Sequence, residues 1–178
     1  DMIDACYVNP SFCVKEQGNI SNKHKQNTGI RQGCPLSPYL FIIFMTVLMN
    51  DVFKDVEKEF GAIPHTHTAR DTLIDLEYAD DTLLLGRSTK LINTMLHSIE
   101  THSETFGMQL NLDKTILVTM NKPETEHSTI SFKDGSPVKR ASTATYLGIL
   151  CNQTASQLPN LNSRLGKASN TFNKLQLF

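Results

Sequence analysis

The sequence lacks tryptophan and has no long hydrophobic run. Its longest apolar stretch, Leu40 to Met49, is interrupted by Thr46, whereas a transmembrane helix needs about 20 consecutive apolar residues. The stretch therefore predicts a buried helix and no membrane partner. No charged segment followed by an apolar one precedes it, so we expect an intracellular protein.

Cysteine is sparse, and its spacing is not typical of a metal site. No CxxC pair is present, which argues against a zinc ribbon and a secreted disulfide scaffold, and we expect reduced thiols. The cysteines are Cys6, Cys13, Cys34 and Cys151. His65 and His67 form an HxH without further ligands nearby in sequence, which we interpret as exposed strand histidines.

Length and composition indicate one domain, or the larger part of one, because 178 residues with 39% hydrophobic content can bury a core. The net charge of -1 is unevenly distributed. Residues 51 to 81 hold three basic and nine acidic groups, and residues 110 to 178 hold eight and four. Solvated helix positions explain Asp51, Asp55, Glu57 and Glu59. An acidic hollow beside a basic region would also suit metal ions and a polyanion.

Periodicity and turn residues predict a mixed chain. A hairpin follows the turn at Asn9-Pro10, with a strand at Phe12 to Lys15. A central buried helix runs from about Tyr39 to Glu59, with Ser37 as cap and Gly61 as terminator. The hairpin Leu73 to Gly86 is expected to cover it. A second helix, Thr89 to Phe106, lies between Ser88 and Gly107.

The remaining elements are shorter. We predict strands at 108–120 and at Thr145 to Cys151, and a hairpin turn at Asp134-Gly135. A last helix is indicated by apolar residues at helical spacing: Leu158, Leu161, Leu165, Ala168, Phe172 and Leu175.

Two adjacent carboxylates, Asp80 and Asp81, interrupt the strand-like run LIDLEYADDTLLLGR. Neighbouring carboxylates repel, so at least one must face water, bind a cation or take up a proton. A solvated hairpin turn is the ordinary explanation, and a cation site is the functional one. The pair alone leaves both open.

Four segments in order extend this observation: RQGCPLSP at 31–38, YADD at 78–81, GMQLNLDKT at 107–115 and YLGI at 146–149. Together they resemble the palm motifs of reverse transcriptases, and RQGCPLSPYLF with YADD is most similar to the non-long-terminal-repeat retrotransposon class. The resemblance implies an α+β right-hand polymerase palm, an antiparallel sheet backed by helices. Residues 1–156 would be palm and partial fingers, and 157–178 the start of a thumb helix.

The same resemblance implies RNA-directed DNA synthesis with two divalent cations, Mg²⁺ or alternatively Mn²⁺. Asp80 and Asp81 would be catalytic metal ligands, with Asp80 the firmer one. Lys114 would lie near the leaving pyrophosphate as a donor of a proton or positive charge. A solvent-facing lysine is the alternative for Lys114.

The implied partners are an RNA template, a DNA primer and deoxynucleoside triphosphates. The template and nucleotide would contact Arg31, Gln32 and Gly33. The primer would contact Tyr78, Tyr146, Leu147 and Gly148. As an alternative for RQGCPLSP, helix capping would explain the prolines but not Arg-Gln-Gly. As an alternative for YLGI, the segment would be a core strand.

One family motif is not found. The third carboxylate belongs to an earlier strand, and nothing in residues 1–30 matches it, since Asp1 and Asp4 have the wrong context. We therefore expect a fragment of a longer polyprotein, inactive alone, which would function in nucleus and cytoplasm if the element is eukaryotic. The alternatives are an inactive or domesticated nucleic-acid-binding fragment and a group II intron maturase. The upstream coding sequence would distinguish them.

Overall fold

The computed structural model describes residues 3, 7–26, 29, 33–61, 74–120 and 129–175. Within these ranges the protein is α+β, with three long helices and short strands that associate in pairs. The strand pairs are separate, so the single helix-backed sheet expected from sequence is not formed by the described residues. The chain divides into two compact units, Asp1–Ile43 and Phe44–Phe178.

The first unit contains the predicted hairpin. β1 (Ser11–Phe12) pairs with β4 (His24–Lys25), and β2 (Lys15–Glu16) pairs with β3 (Asn19–Ile20). Gln17 and Gly18 have φ of 47° and 88°, the positive values that a type I′ turn requires. The predicted continuous strand is wrong in detail, because Cys13 and Val14 interrupt it.

Helix α1 (Ser37–Phe60) has the predicted cap residue Ser37 as its first helical residue instead, since the Leu40 amide donates to the Leu36 oxygen. It ends before Gly61, whose φ is 82°. Its second half is buried through Leu48, Met49, Val52 and Val56. In its first half Tyr39, Ile42 and Ile43 are exposed, whereas Phe44 is partly buried against the core. The prediction of a buried helix is therefore right only for the second half. The first half is apolar on all sides, a pattern that does not specify which face is covered.

The second unit is built on two hydrophobic clusters. In the first, α1 packs against helix α2 (Thr89–Thr105) through Met95 and Ile99, and Ile74 and Leu84 of the predicted covering hairpin pack on this cluster. Ser88 caps α2 as predicted, since its Oγ accepts a hydrogen bond from the Leu91 amide. In the second cluster, Leu96 of α2 packs with Ile130, Phe132 and Val138.

Asp55 joins α1 to α2, so its predicted role as a solvated surface group is wrong. Its carboxylate accepts hydrogen bonds of 2.8 Å from Lys58 Nζ, Ser98 Oγ and His102 Nε2. These bonds, that from Lys58 first, hold the pKa of Asp55 well below its usual value. Sequence spacing shows only the contact within α1, because the α2 partners are far away in the chain.

The predicted strand at 108–120 is largely wrong. Residues Asn111 to Lys114 form a turn, in which Asn111 Oδ1 accepts a hydrogen bond from the Lys114 amide at 3.1 Å. Asparagine side chains compete with strand pairing by bonding nearby backbone groups. Within this segment only β7 (Ile116–Leu117) forms a strand, and it pairs in parallel with β8 (Lys139–Arg140).

The remaining elements confirm two predictions and correct one. Gly135 (φ 84°) forms the predicted turn, and Asp134 Oδ1 accepts hydrogen bonds from Ser136. Helix α3 (Leu158–Leu175) is present, with its apolar residues exposed. The predicted single strand Thr145 to Cys151 is instead a hairpin of β9 (Thr143–Tyr146) and β10 (Ile149–Asn152). No helix within the described ranges is both long and apolar enough to cross a membrane.

Candidate functional site

The Asp pair lies at the turn of a tight hairpin. β5 (Asp75–Tyr78) and β6 (Asp81–Leu84) are antiparallel, and Tyr78 is paired with Asp81. The two-residue turn is therefore Ala79–Asp80, and Ala79 has a φ of 52°. A left-handed conformation costs a residue with a Cβ about 1–2 kcal/mol, and such strain is concentrated at functional sites. Asp80 is thereby exposed to solvent at the tip of a short hairpin.

The donor chemistry of this turn suits a hard cation. Asp80 and Asp81 are both exposed, and carboxylate oxygens are the ligands that Mg²⁺ and Mn²⁺ prefer. The residues that the structure describes contain no group of three or more His, Cys, Asp or Glu side chains placed to hold a metal. The hairpin can therefore supply two ligands, and an octahedral ion would take its others from water, substrate phosphates or further protein groups.

Two further carboxyls, which sequence reasoning did not single out, lie on the stem of the hairpin. Asp75 and Glu77 are two positions apart in β5, so their side chains lie on the same side of the strand. Partial shielding of the Glu77 carboxyl from solvent, and then a hydrogen bond to Asp75, raise the pKa of Glu77 to about 7. The signal available in the sequence was the acidic i, i+2 spacing within a predicted strand.

Tyr146 connects a second hairpin to the first. It is the last residue of β9, and its Oη donates a hydrogen bond to the backbone oxygen of Leu76 in β5, at 3.0 Å. Shielding from solvent, and then the negative charge of Asp81, raise the pKa of the Tyr146 phenol. The structure therefore brings Tyr146 of the YLGI segment into contact with the hairpin that carries Asp80 and Asp81.

The next two residues, Leu147 and Gly148, form the turn of this second hairpin. Their φ angles are 49° and 77°, which is the type I′ geometry.

The sequence model of the reverse transcriptase (RNA-dependent DNA polymerase) family matches residues 2–151. The chain belongs to the reverse transcriptase family. The match includes the Asp hairpin and the Tyr146 hairpin and ends within β10, before α3 begins. Membership implies a polymerase palm-type fold, nucleotidyl transfer, and a nucleic acid template and primer with nucleotide substrates. Reverse transcriptases typically use divalent metal ions.

For the other predicted site residues that it describes, the structure of this reverse transcriptase shows solvent exposure or backbone geometry. Lys114 is exposed at the end of the Asn111 turn, and its backbone amide bonds to Asn111. Tyr78 is 63% exposed beside the Asp turn. Gly33 has a φ of 81°, and a Cβ added there would meet no atom within 4 Å, so its backbone can be approached closely. Arg31 and Gln32 lie outside the described residues.

Proposed function

We propose that this reverse transcriptase domain serves RNA-directed DNA synthesis in a non-long-terminal-repeat retrotransposon, by two-metal nucleotidyl transfer. The observation that carries the proposal is the exposed Asp80–Asp81 pair at a strained, two-residue turn within the family match. A solvated turn needs no such strain, because Gly or Asn would form it more easily. The motif wording RQGCPLSPYLF with YADD supports the retrotransposon class.

In this proposal Asp80 and Asp81 hold divalent cations, which when bound activate the primer hydroxyl and stabilise the leaving pyrophosphate. Short strands on both sides of the turn limit its movement, so the carboxylates are oriented before substrate binds. Tyr78 presents an exposed ring beside the primer terminus. Lys114 adds a positive charge for the pyrophosphate.

Two glycine-containing segments would position the nucleic acid. The turn Leu147–Gly148 lets the primer backbone come close, because Gly148 has no side chain. The open backbone of Gly33 does the same for the templating base and nucleotide, and the neighbouring Arg31 and Gln32 supply phosphate and hydrogen-bond contacts.

Primer extension with an Asp80→Asn variant tests the metal role. The reaction requires a polypeptide that carries this segment together with the family's upstream aspartate motif. Loss of a group that only hydrogen-bonds to a metal ligand costs metal sites about 10–100-fold. Loss of a ligand itself should therefore reduce extension by more than that, while binding of primer–template is retained. Asp134→Asn changes the carboxylate of the Asp134–Gly135 turn, which has no role in the proposed reaction, and is the matched control. Extension by Asp80→Asn near the unmutated rate would refute the assignment.

The 178 residues by themselves should not extend a primer, because the family's third carboxylate motif is not found in their sequence. The chain is incubated with primed RNA, deoxynucleotides and Mg²⁺ or Mn²⁺, beside its Asp80→Asn variant. Extension above that control would show that another carboxylate, such as Asp4, completes the site.

Nucleic-acid binding without catalysis is the second candidate function. It is favoured by one observation, that the described residues hold no cluster of three metal-ligating side chains. This candidate predicts that extension remains absent even when the upstream motif is supplied. Binding of primer–template would then persist unchanged in Asp80→Asn.

A further inference from the structure

The Tyr146 side chain reaches across from its own hairpin to the hairpin of the Asp pair. Its Oη donates to the backbone oxygen of Leu76 at 3.0 Å, between residues 70 positions apart in the chain. Leu76 lies on β5, two residues before Tyr78. Tyr146 lies immediately before the turn Leu147–Gly148 and is half-buried. One hydrogen bond therefore connects the stem of one tight turn to the base of another.

The turns on both sides of this bond are short and well defined. Each hairpin has two four-residue strands joined by two residues, and each turn contains a non-glycine residue at positive φ, Ala79 in one and Leu147 in the other. Such turns have little freedom to move independently of their strands. A contact between the stems is therefore transmitted to both turns.

We propose that Tyr146 is a positioning residue, whose hydroxyl fixes the Leu147–Gly148 turn relative to the Asp80–Asp81 carboxylates. This role rests on the proposed function, in which the Leu147–Gly148 turn receives the primer backbone and the Asp80–Asp81 carboxylates hold the metal ions. The bond then sets the distance from primer terminus to reaction centre. A displacement of about 1 Å between reacting groups can reduce a rate 10²-fold.

This role differs from the direct primer contact that the family resemblance suggests for Tyr146. The hydroxyl already donates its single proton to the protein backbone. A direct contact predicts that removal of the hydroxyl weakens primer–template binding. The positioning role predicts that removal changes the Asp hairpin itself, in the absence of nucleic acid.

Tyr146→Phe in the 178-residue chain tests this difference, with Tyr39→Phe, an exposed tyrosine on α1, as the matched control. Hydrogen exchange of backbone amides is measured without metal or nucleic acid. A typical intramolecular hydrogen bond should slow local opening by roughly two- to tenfold, so exchange in β5, β6 and their turn should accelerate by that factor in Tyr146→Phe. Amides of α2 should be unchanged.

Two results would overturn the proposal: unchanged exchange in the Asp hairpin, or equal acceleration in α2, which would mean a general loss of stability. In a polymerising polypeptide, Tyr146→Phe should lower kcat with KM for primer–template unchanged, and the opposite split would favour a primer contact. Failure of the proposed function is seen separately, as undiminished extension by Asp80→Asn. Local acceleration of exchange would still support positioning of the hairpin by Tyr146 in that case.

Discussion

The Asp80 hairpin and the Tyr146 hairpin have strands and turns of the same length but differ in charge. Both consist of two four-residue strands and a two-residue turn. The ten residues 75–84 include four carboxyls, whereas residues 143–152 include no charged side chain and follow Lys139 and Arg140. The first therefore suits cations, and the second suits a polyanion backbone supported by nearby basic residues.

The two turns also differ, in their φ angles and in the side chains that they expose. In the first, only Ala79 has a positive φ, and Asp80 follows it with its side chain exposed. In the second, Leu147 and Gly148 both have positive φ, and Gly148 leaves its surroundings open. Two similar hairpins thus differ mainly at the second turn position, where one has an exposed carboxylate and the other has no side chain. The predictions below test this division.

The largest expected effect concerns the basic residues near the second hairpin. Charge reversal to Glu at Lys139, Arg140, Arg164 and Lys167 should strongly weaken binding of primer–template duplex at low salt. If each residue contacts one phosphate, the slope of log affinity against log salt should decrease by about 3–4. Fluorescence anisotropy over a salt series measures both quantities. Lys54→Glu, in the acidic segment, is the control, and an unchanged slope would identify these four residues as a solvated surface only.

The second prediction compares Asp55, a carboxylate that connects two helices, with the carboxylates of the Asp80 hairpin. Asp55→Asn should lower the free energy of unfolding by about 1–3 kcal/mol, because it weakens charge-assisted hydrogen bonds from Lys58, Ser98 and His102. The Mn²⁺ binding that the proposed function assigns to the Asp80 hairpin should not change. Urea unfolding and electron paramagnetic resonance measure the two effects, and a loss of Mn²⁺ binding would contradict the separation of roles.

The same residue predicts a pH dependence. Because the pKa of Asp55 is lower in the folded state than its ordinary value of 3.8, its contribution is complete above that value and is lost as the pH falls below it. The difference in unfolding free energy between the protein and Asp55→Asn should therefore shrink below about pH 4. A difference that grew with acidity would contradict the assignment.

The smallest expected effect is a pair of turn substitutions of opposite sign. Gly148→Ala should destabilise the protein by about 1–2 kcal/mol, because alanine is strained at a φ of 77°. Ala79→Gly, at a φ of 52°, should be neutral or stabilise by up to about 1 kcal/mol, since relief of strain is partly offset by chain entropy. Thermal unfolding of both variants gives the comparison. Destabilisation by Ala79→Gly would show that Ala79 is not strained.

Local signals in the sequence were sufficient for the three helices and for the Asp hairpin. α2 was predictable because Ser88, the spacing of Met95 and Ile99, and Gly107 agree with one another. The Asp hairpin was predictable from alternating residues around Asp80 and Asp81. The turn at Gly148 was not recognised, because a leucine at positive φ is rare and YLGI is also a typical strand.

Contacts between distant residues were beyond the reach of sequence patterns. The bonds from Ser98 and His102 to Asp55 depend on how α1 packs against α2. An asparagine such as Asn111 can stand either at the end of a strand or in a turn. The hydrogen bond from the Lys114 amide to its side chain stabilises the turn.

By itself, the sequence determined the motif order, the approximate limits of α1 and α2, and the presence of two adjacent carboxylates in a turn. It could do so because periodicity, capping and turn preferences act over a few residues. Tertiary structure alone decided that Tyr146 bonds to Leu76, that Asp55 is shared by two helices and that only half of α1 is buried. The physical reason is that hydrogen bonds and burial depend on which surfaces meet in space. Residues 70 positions apart in the chain carry no local pattern that records their contact.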